Sequence, residues 1–366
     1  MRRNGSLAGF IESVVAVALA LLLGGVALLL TGHDPVMAYG ALAERVMFRS
    51  TGASEVLVRV GPLLIAGAAV LVSVRAGVWN IGIDGQVLSG ALACAVVASA
   101  LVGHVIAPVM WVAGAVAALA AGGAWALLPG LLRARLGLNE IITTIMLNYV
   151  ALSLSGWLVK GPLKDPNLVA PQTPVIPRLD RLPVLGDTRL HLGLLVALVV
   201  ALVVGYLLHG SRIGFELGIV GERPRVAHYA VMPVGRLLLT AFLVSGALAG
   251  LAGANDILST KGTFQADWNP GYGLAAFALV FLARRRAVGL IPAALLLGAL
   301  AYGADILPRA ADVAPAFVDL LEGLILGSLA LMTYVRERRE GRAITSTGDV
   351  NREEPAMLTV VPKARA

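Results

Sequence analysis

Apolar residues in this chain fall in long, nearly unbroken runs, where a water-soluble helix or strand would show a one-sided or alternating stripe. The runs cover 9–30, 57–74, 78–102, 106–132, 141–159, 190–208, 237–254, 272–282, 288–302 and 317–335. A helix needs about 20 apolar residues to cross a bilayer, because the hydrocarbon core offers no partner to a backbone N–H or C=O. The pattern predicts an all-α, polytopic transmembrane helix bundle with about ten spans, and no fewer than eight. The run at 272–282 is too short to cross alone, and the run at 78–102 is interrupted by Gly82 and Gly85. The domain reading is one transmembrane domain over 1–335. A cytoplasmic tail, expected to be solvated and disordered, covers 336–366, where apolar periodicity ends.

Composition agrees with that pattern. Of 366 residues, 58% are apolar and 14% are charged, against about 45–50% and 25% in soluble domains. The basic residues then give orientation. With the N-terminus inside, most of the 29 Lys and Arg residues reach the inner side, so both termini are expected in the cytoplasm of a multi-pass cell-membrane protein. The net charge of +7 is thereby a topological signal and no sign of nucleic-acid binding. Two connections are informative. The outer loop at 160–189 carries Pro162, Pro166, Pro171, Pro174, Pro177 and Pro183, which forbid a helix and predict an ordered, semi-rigid segment. The inner segment at 211–236 is polar.

No nucleotide-binding Gly-x-x-x-x-Gly-Lys loop occurs, the 5 histidines are scattered, and Cys94 is the single cysteine. Neither catalysis nor a metal site is expected. The costly feature is Gly77-Val-Trp-Asn-Ile-Gly-Ile-Asp-Gly-Gln86. An aspartate at the centre of a membrane helix costs about 2.5–3.5 kcal/mol, and the glycines weaken the helix further. One reading is a non-helical or re-entrant element beside a permeation path; the other is a cytoplasmic loop with Asp84 in water. A second polar cluster has Asn139 as a helix N-cap and Thr144 and Asn148 four apart on one helix face, facing a pathway or joining helices. In 245–254, small residues at four-residue spacing predict close helix packing. Asp319 and Glu322, three apart in the last span, flank a cavity or sit near the outer end of that span, with a structural role favoured.

Three blocks together resemble the type 2 permeases of binding-protein-dependent ABC importers, and within them the simple-sugar and nucleoside permeases. They are GVWNIGIDGQVLSGA at 77–91, LNEIITTIMLNYVA at 138–151 and IGFELGIVGERPRVAHYAVMPVGR at 213–236, followed by SGALAGLAGA. Asp84 stands where glutamate is usual, Arg223 where asparagine is usual, and Ala-Arg-Arg-Arg-Ala at 283–287 replaces a Gly-x-x-x-Pro loop. The resemblance implies a subunit forming half of a translocation pathway for a nucleoside or simple sugar. It also implies two separate ATPase subunits that consume the ATP, a second permease (identical or related) and an extracytoplasmic binding protein; this chain would need no cofactor of its own. Asn80, Asp84, Gln86, Thr144 and Asn148 are the expected pathway or gate residues. Gly221, Glu222, Arg223, Pro224, Ala227 and Tyr229 are the expected contacts to the ATPase. The alternative is an ion-coupled secondary transporter using Asp84, Asp319 or Glu322; a membrane scaffold without transport is a third reading.

Overall fold

A computed structural model describes residues 4–49, 51–186 and 188–348. Its helices are α1 (Asn4–Leu30), α2 (Pro35–Ala43), α3 (Gly52–Arg75), α4 (Ile83–Leu101), α5 (Ala107–Leu136), α6 (Glu140–Lys160) and α7 (Leu192–Gly210). They continue with α8 (Arg212–Glu222), α9 (Pro224–Tyr229), α10 (Val234–Asp256), α11 (Tyr272–Leu282), α12 (Ala287–Ala310) and α13 (Ala316–Gly348). Among the described residues there is no β-strand, and pairing is limited to the isolated bridges Gln172–Gln265 and Val184–His191.

Each of the ten apolar runs contains a helix. Nine helices among the described residues are long and apolar enough to span a membrane, and α11, at 11 residues, is the short one. The interruption in the third run is a real break: residues 76–82 are irregular and α4 begins only at Ile83. Gly85 lies inside α4 and does not interrupt it. Several short elements lie outside the expected runs, α2, α8 and α9 among them. In α2, Asp34 accepts hydrogen bonds from the N–H groups of Val36 and Met37 while Pro35 opens the helix, a cap that completes the free N-terminal donors. A π-helical turn, Glu44–Phe48, follows it. The helix of α13 continues past residue 335 to Gly348, and the remainder of the expected tail, 349–366, lies outside the described residues.

The centre of the bundle is α10 on α5 and α4. A Cβ on Gly253 would lie 2.9 Å from Ala91 Cβ, and one on Gly250 would overlap the Ala118 carbonyl oxygen. Gly122 on α5 and Gly90 on α4 meet the same stripe. The helices are therefore in backbone contact, as the small-residue spacing predicts, and dispersion across that seam substitutes for the hydrophobic effect that lipid does not supply. The proline-rich loop is ordered against the segment after α10. Thr173 N–H donates to Phe264 O at 3.0 Å, Ile176 N–H donates to Gly262 O at 2.7 Å, and Thr173, Ile176 and Phe264 are buried.

Candidate functional site

Four of the five pathway residues chosen from sequence gather around the break before α4. Gly77 adopts φ +73°, which a side chain rarely tolerates, and turns the chain out of α3. Asn80 and Gln86 then exchange two amide hydrogen bonds of 2.9 Å each, and Asn80 Nδ2 also donates to Ser245 Oγ on α10 at 2.9 Å. Asn148 on α6 serves the backbone of the same segment: its Nδ2 donates to Ile81 O at 2.9 Å and its Oδ1 accepts from Gly85 N–H at 2.8 Å. Thr144 donates to Glu140 O within α6 at 2.6 Å and packs over Gly82. Asn80, Gln86 and Thr144 are sealed at 0%, 1% and 0% exposure, while Asn148 is half-buried. The arrangement supplies the partners that unwound backbone needs away from water. Of the two readings of this segment, the buried non-helical element is the one adopted.

Asp84 faces elsewhere. Its Oδ1 accepts from the N–H of Gly273 at 2.7 Å, so it caps the start of α11, one of the orphaned donors of that helix. The half-length α11 is reached from the end of α10 by the irregular chain at 262–271, which hydrogen-bonds to the outer loop.

Above that point opens a cavity of about 700 Å³, within the size range of small-molecule sites. Its walls come from α3, the outer loop, the ends of α7 and α10, α11, α12 and the start of α13. Asp256 Oδ2 accepts from Tyr272 Oη–H at 2.7 Å in its wall. Arg189 pairs with Glu55 at 2.9 Å, and Arg59 pairs with both Glu55 and Asp305 while covering the Tyr302 ring. Lys261 Nζ lies 5.8 Å from the centre of the Trp268 ring. Asp319 and Glu322 line this space as well, so their place is a cavity wall. His191, also in the wall, is 2% exposed with no hydrogen-bond partner for either ring nitrogen; burial holds its pKa down to about 4, so it is neutral near pH 7. Apart from Asp319 and Glu322, sequence reasoning missed this wall. The one signal available was a polar pair, Asn255-Asp256, closing an otherwise small and apolar helix.

The six residues assigned to ATPase contact lie on the opposite side, in the α8–α9 hairpin. Ser211 Oγ caps α8 by accepting from Gly214 N–H at 3.1 Å, and Pro224 opens α9. Arg223 is the corner between them, at φ −141° and ψ 65°. Gly221 is pressed onto the backbone around Gly77, with the Gly77 N only 2.6 Å from where a Cβ would sit. Glu222 pairs with Arg75 at 2.9 Å. Ala227 is buried at 0%, whereas Tyr229 is 85% and Phe215 66% exposed. The hairpin therefore has one face fastened to the helix break and another presenting apolar groups outward.

A membrane-spanning bundle with a buried unwound segment, a polar cavity at one end and an exposed apolar hairpin at the other defines a transport subunit. The comparisons with known proteins then fix which kind. The family described as branched-chain amino acid transport system / permease component matches residues 52–326, and the chain belongs to it. It is 34% identical to the glucose ABC transporter permease protein TsgB13 of Haloferax volcanii, over 92% of this chain and 91% of that one. It is 34% identical to the guanosine ABC transporter permease protein NupP of Bacillus subtilis, over 88% and 93% of the two chains. The nucleoside ABC transporter permease protein NupB of Lactococcus lactis is 29% identical over 80% of this chain and 82% of its own. The protein is a multi-pass permease subunit of an ATP-binding cassette importer, which operates with ATPase and substrate-binding partners.

Proposed function

We propose that this permease carries a nucleoside or simple sugar inward, with nucleosides the first choice. The observation that carries the reading is the outer cavity of about 700 Å³, in which hydrogen-bonding groups converge beside the Trp268 ring. Paired polar groups suit hydroxyls, and an aromatic face suits a planar base. The named cargoes of the similar permeases, glucose, guanosine and nucleosides, support the same choice. The cavity receives cargo from an extracytoplasmic binding protein. Asn80, Asp84, Gln86, Thr144 and Asn148 form the gate region beneath it, in a pathway completed by a second permease, identical or related.

Two ATPase subunits bind the α8–α9 hairpin through Gly221, Glu222, Arg223, Pro224, Ala227 and Tyr229 and consume the ATP, so this chain performs no catalysis and holds no cofactor. The exposure of Tyr229 and Phe215 supports that docking, since exposed aromatic groups on a face fastened to the bundle give a partner both adhesion and leverage. The test is uptake of radiolabelled guanosine, uridine, ribose and glucose by proteoliposomes holding the assembled transporter. ATP-dependent uptake of one or more is expected. Uptake that persists without the ATPase subunits refutes the energy source; indifference to every nucleoside and sugar refutes the cargo.

A further inference from the structure

A second cavity, of about 710 Å³, opens near the inner ends of α1 and α13; Ser13, Trp79, Phe281, Leu326, Leu329 and Thr333 are among its lining residues. It shares two helices with the outer cavity. On α13 the outer cavity ends at Glu322 and the inner one begins at Leu326, four residues further and so about 6 Å along the axis. On α11 the outer cavity reaches Ala275 and the inner one starts at Phe281. The two spaces thus follow one another along both helices, with between one and two helical turns separating them.

Aromatic rings stand beside that interval, on the inner cavity's side. Trp79, on the irregular segment before α4, stacks on Phe277 with centroids 6.0 Å apart and planes 5° apart, and on Phe281 at 5.7 Å and 24°. Phe277 is buried, Trp79 is 40% exposed, and the Arg285 guanidinium covers Phe281 at 5.5 Å. Trp79 is two residues from Gly77, which is locked against Gly221, and four from Arg75, which pairs with Glu222. Under that junction lies a further space of about 240 Å³ lined by Arg75, Gly77, Trp79, Gly221, Glu222 and Arg285.

We propose that the two large cavities are the outer and inner halves of one passage along the α11–α13 seam, and that Trp79 is its inner door, moved directly by the α8–α9 hairpin through the Gly77–Gly221 and Arg75–Glu222 contacts. The proposal rests on the permease reading above and adds the route and the moving part. A flat indole stacked on two rings closes a hole without hydrogen bonds that must be broken, and the small space beside it receives the ring when α8 shifts. Polar Asn80, the next residue, stays clamped to Gln86 and Ser245, so the segment pivots and does not unfold.

The experiment uses the transporter assembled with its ATPase subunits in proteoliposomes. Trp79→Ala should raise ATP-independent leak of preloaded guanosine or glucose by about fivefold or more, the low end of two-state coupling effects, while Trp79→Phe stays near wild type. Ala304→Trp in the outer cavity and Ala330→Trp in the inner one should each abolish uptake while the complex still assembles and hydrolyses ATP. Obstructed variants that assemble and transport at the wild-type rate overturn the route. A readout independent of cargo is cytoplasmic labelling of Trp79→Cys in a Cys94→Ala background by an impermeant maleimide. Labelling should change between ATP-bound and nucleotide-free complexes, and identical labelling overturns the door. Should wild type move neither guanosine nor glucose while Trp79→Cys labelling still responds to ATP, the cargo reading fails and the door stands.

Discussion

Removing the Asn80 side chain tests the amide cluster that holds the break together. Asn80 gives two hydrogen bonds from Nδ2 and accepts one from Gln86 Nε2, all 2.9 Å, and its neighbours Gln86 and Ser245 are 1% and 0% exposed. Asn80→Ala leaves Gln86 and Ser245 buried without these partners, at about 1–3 kcal/mol per unsatisfied side chain, so the expected loss is about 2–6 kcal/mol. At about 2 °C per kcal/mol, the low end for large domains, the unfolding midpoint falls by about 4–12 °C. The chain supplies its own probe: Cys94 is its single cysteine and is buried. A fluorogenic maleimide therefore reports unfolding of the detergent-purified protein as that thiol becomes reachable. Gln86→Leu alone strands the Asn80 amide. Asn80→Ala with Gln86→Leu removes both amides, and the double variant should lose clearly less than the sum of the singles, because the penalty lies in unpaired groups and not in missing bonds. An unchanged midpoint for Asn80→Ala, or strictly additive losses, would refute this account.

Gly250→Ala should cost about 1–3 kcal/mol by overpacking, since its Cβ overlaps the Ala118 carbonyl and backbone cannot swing aside; the same maleimide melt reads it, and a wild-type midpoint would mean the helices separate freely. Tyr229→Ala, at a residue 85% exposed, should leave the midpoint within about 0.5 kcal/mol of wild type and reduce co-purification with the ATPase. Acidification gives another test, through His191. Below about pH 6.5 the unfolded chain binds a proton there that the folded chain refuses until about pH 4. Stability should therefore fall as pH drops through that window, and His191→Phe should flatten that part of the pH–midpoint curve.

The bundle was legible because lipid imposes a rule that sequence must obey at every position, and each of the ten apolar runs contains a helix. The break was legible only in part: amides, an aspartate and three glycines marked the segment as unusual in an apolar chain, but the sequence left a buried non-helical element and a cytoplasmic loop equally open. Capping chemistry was also readable, as Asn139 Oδ1 accepting from Ile141 N–H at 2.9 Å shows. Asp34-Pro35, which starts α2, carried the same signal and went unread because no long apolar run follows it. The outer cavity was not legible. Arg59, Arg189, His191, Asp256, Tyr272 and Glu322 lie on segments far apart in sequence, and none belongs to a local pattern. Only the path of the chain into α11 and its capping by Asp84 bring them around one space.

That difference bears on why the break is polar at all. An apolar plug between two cavities would pack as well in lipid, and by transfer energies it would be cheaper. Apolar packing, however, does not fix direction or register, whereas the Asn80–Gln86 amide pair accepts one geometry and penalises neighbouring ones by the full cost of a buried unpaired group. A segment held that way moves as a unit or not at all. Force applied at Gly221 and Glu222 reaches the segment through the Gly77–Gly221 backbone contact and the Arg75–Glu222 ion pair, at its start. The polar residues that fasten this segment thereby convert displacement of a surface hairpin into displacement of the Trp79 ring, a discrete two-arrangement change of the kind that alternating access requires.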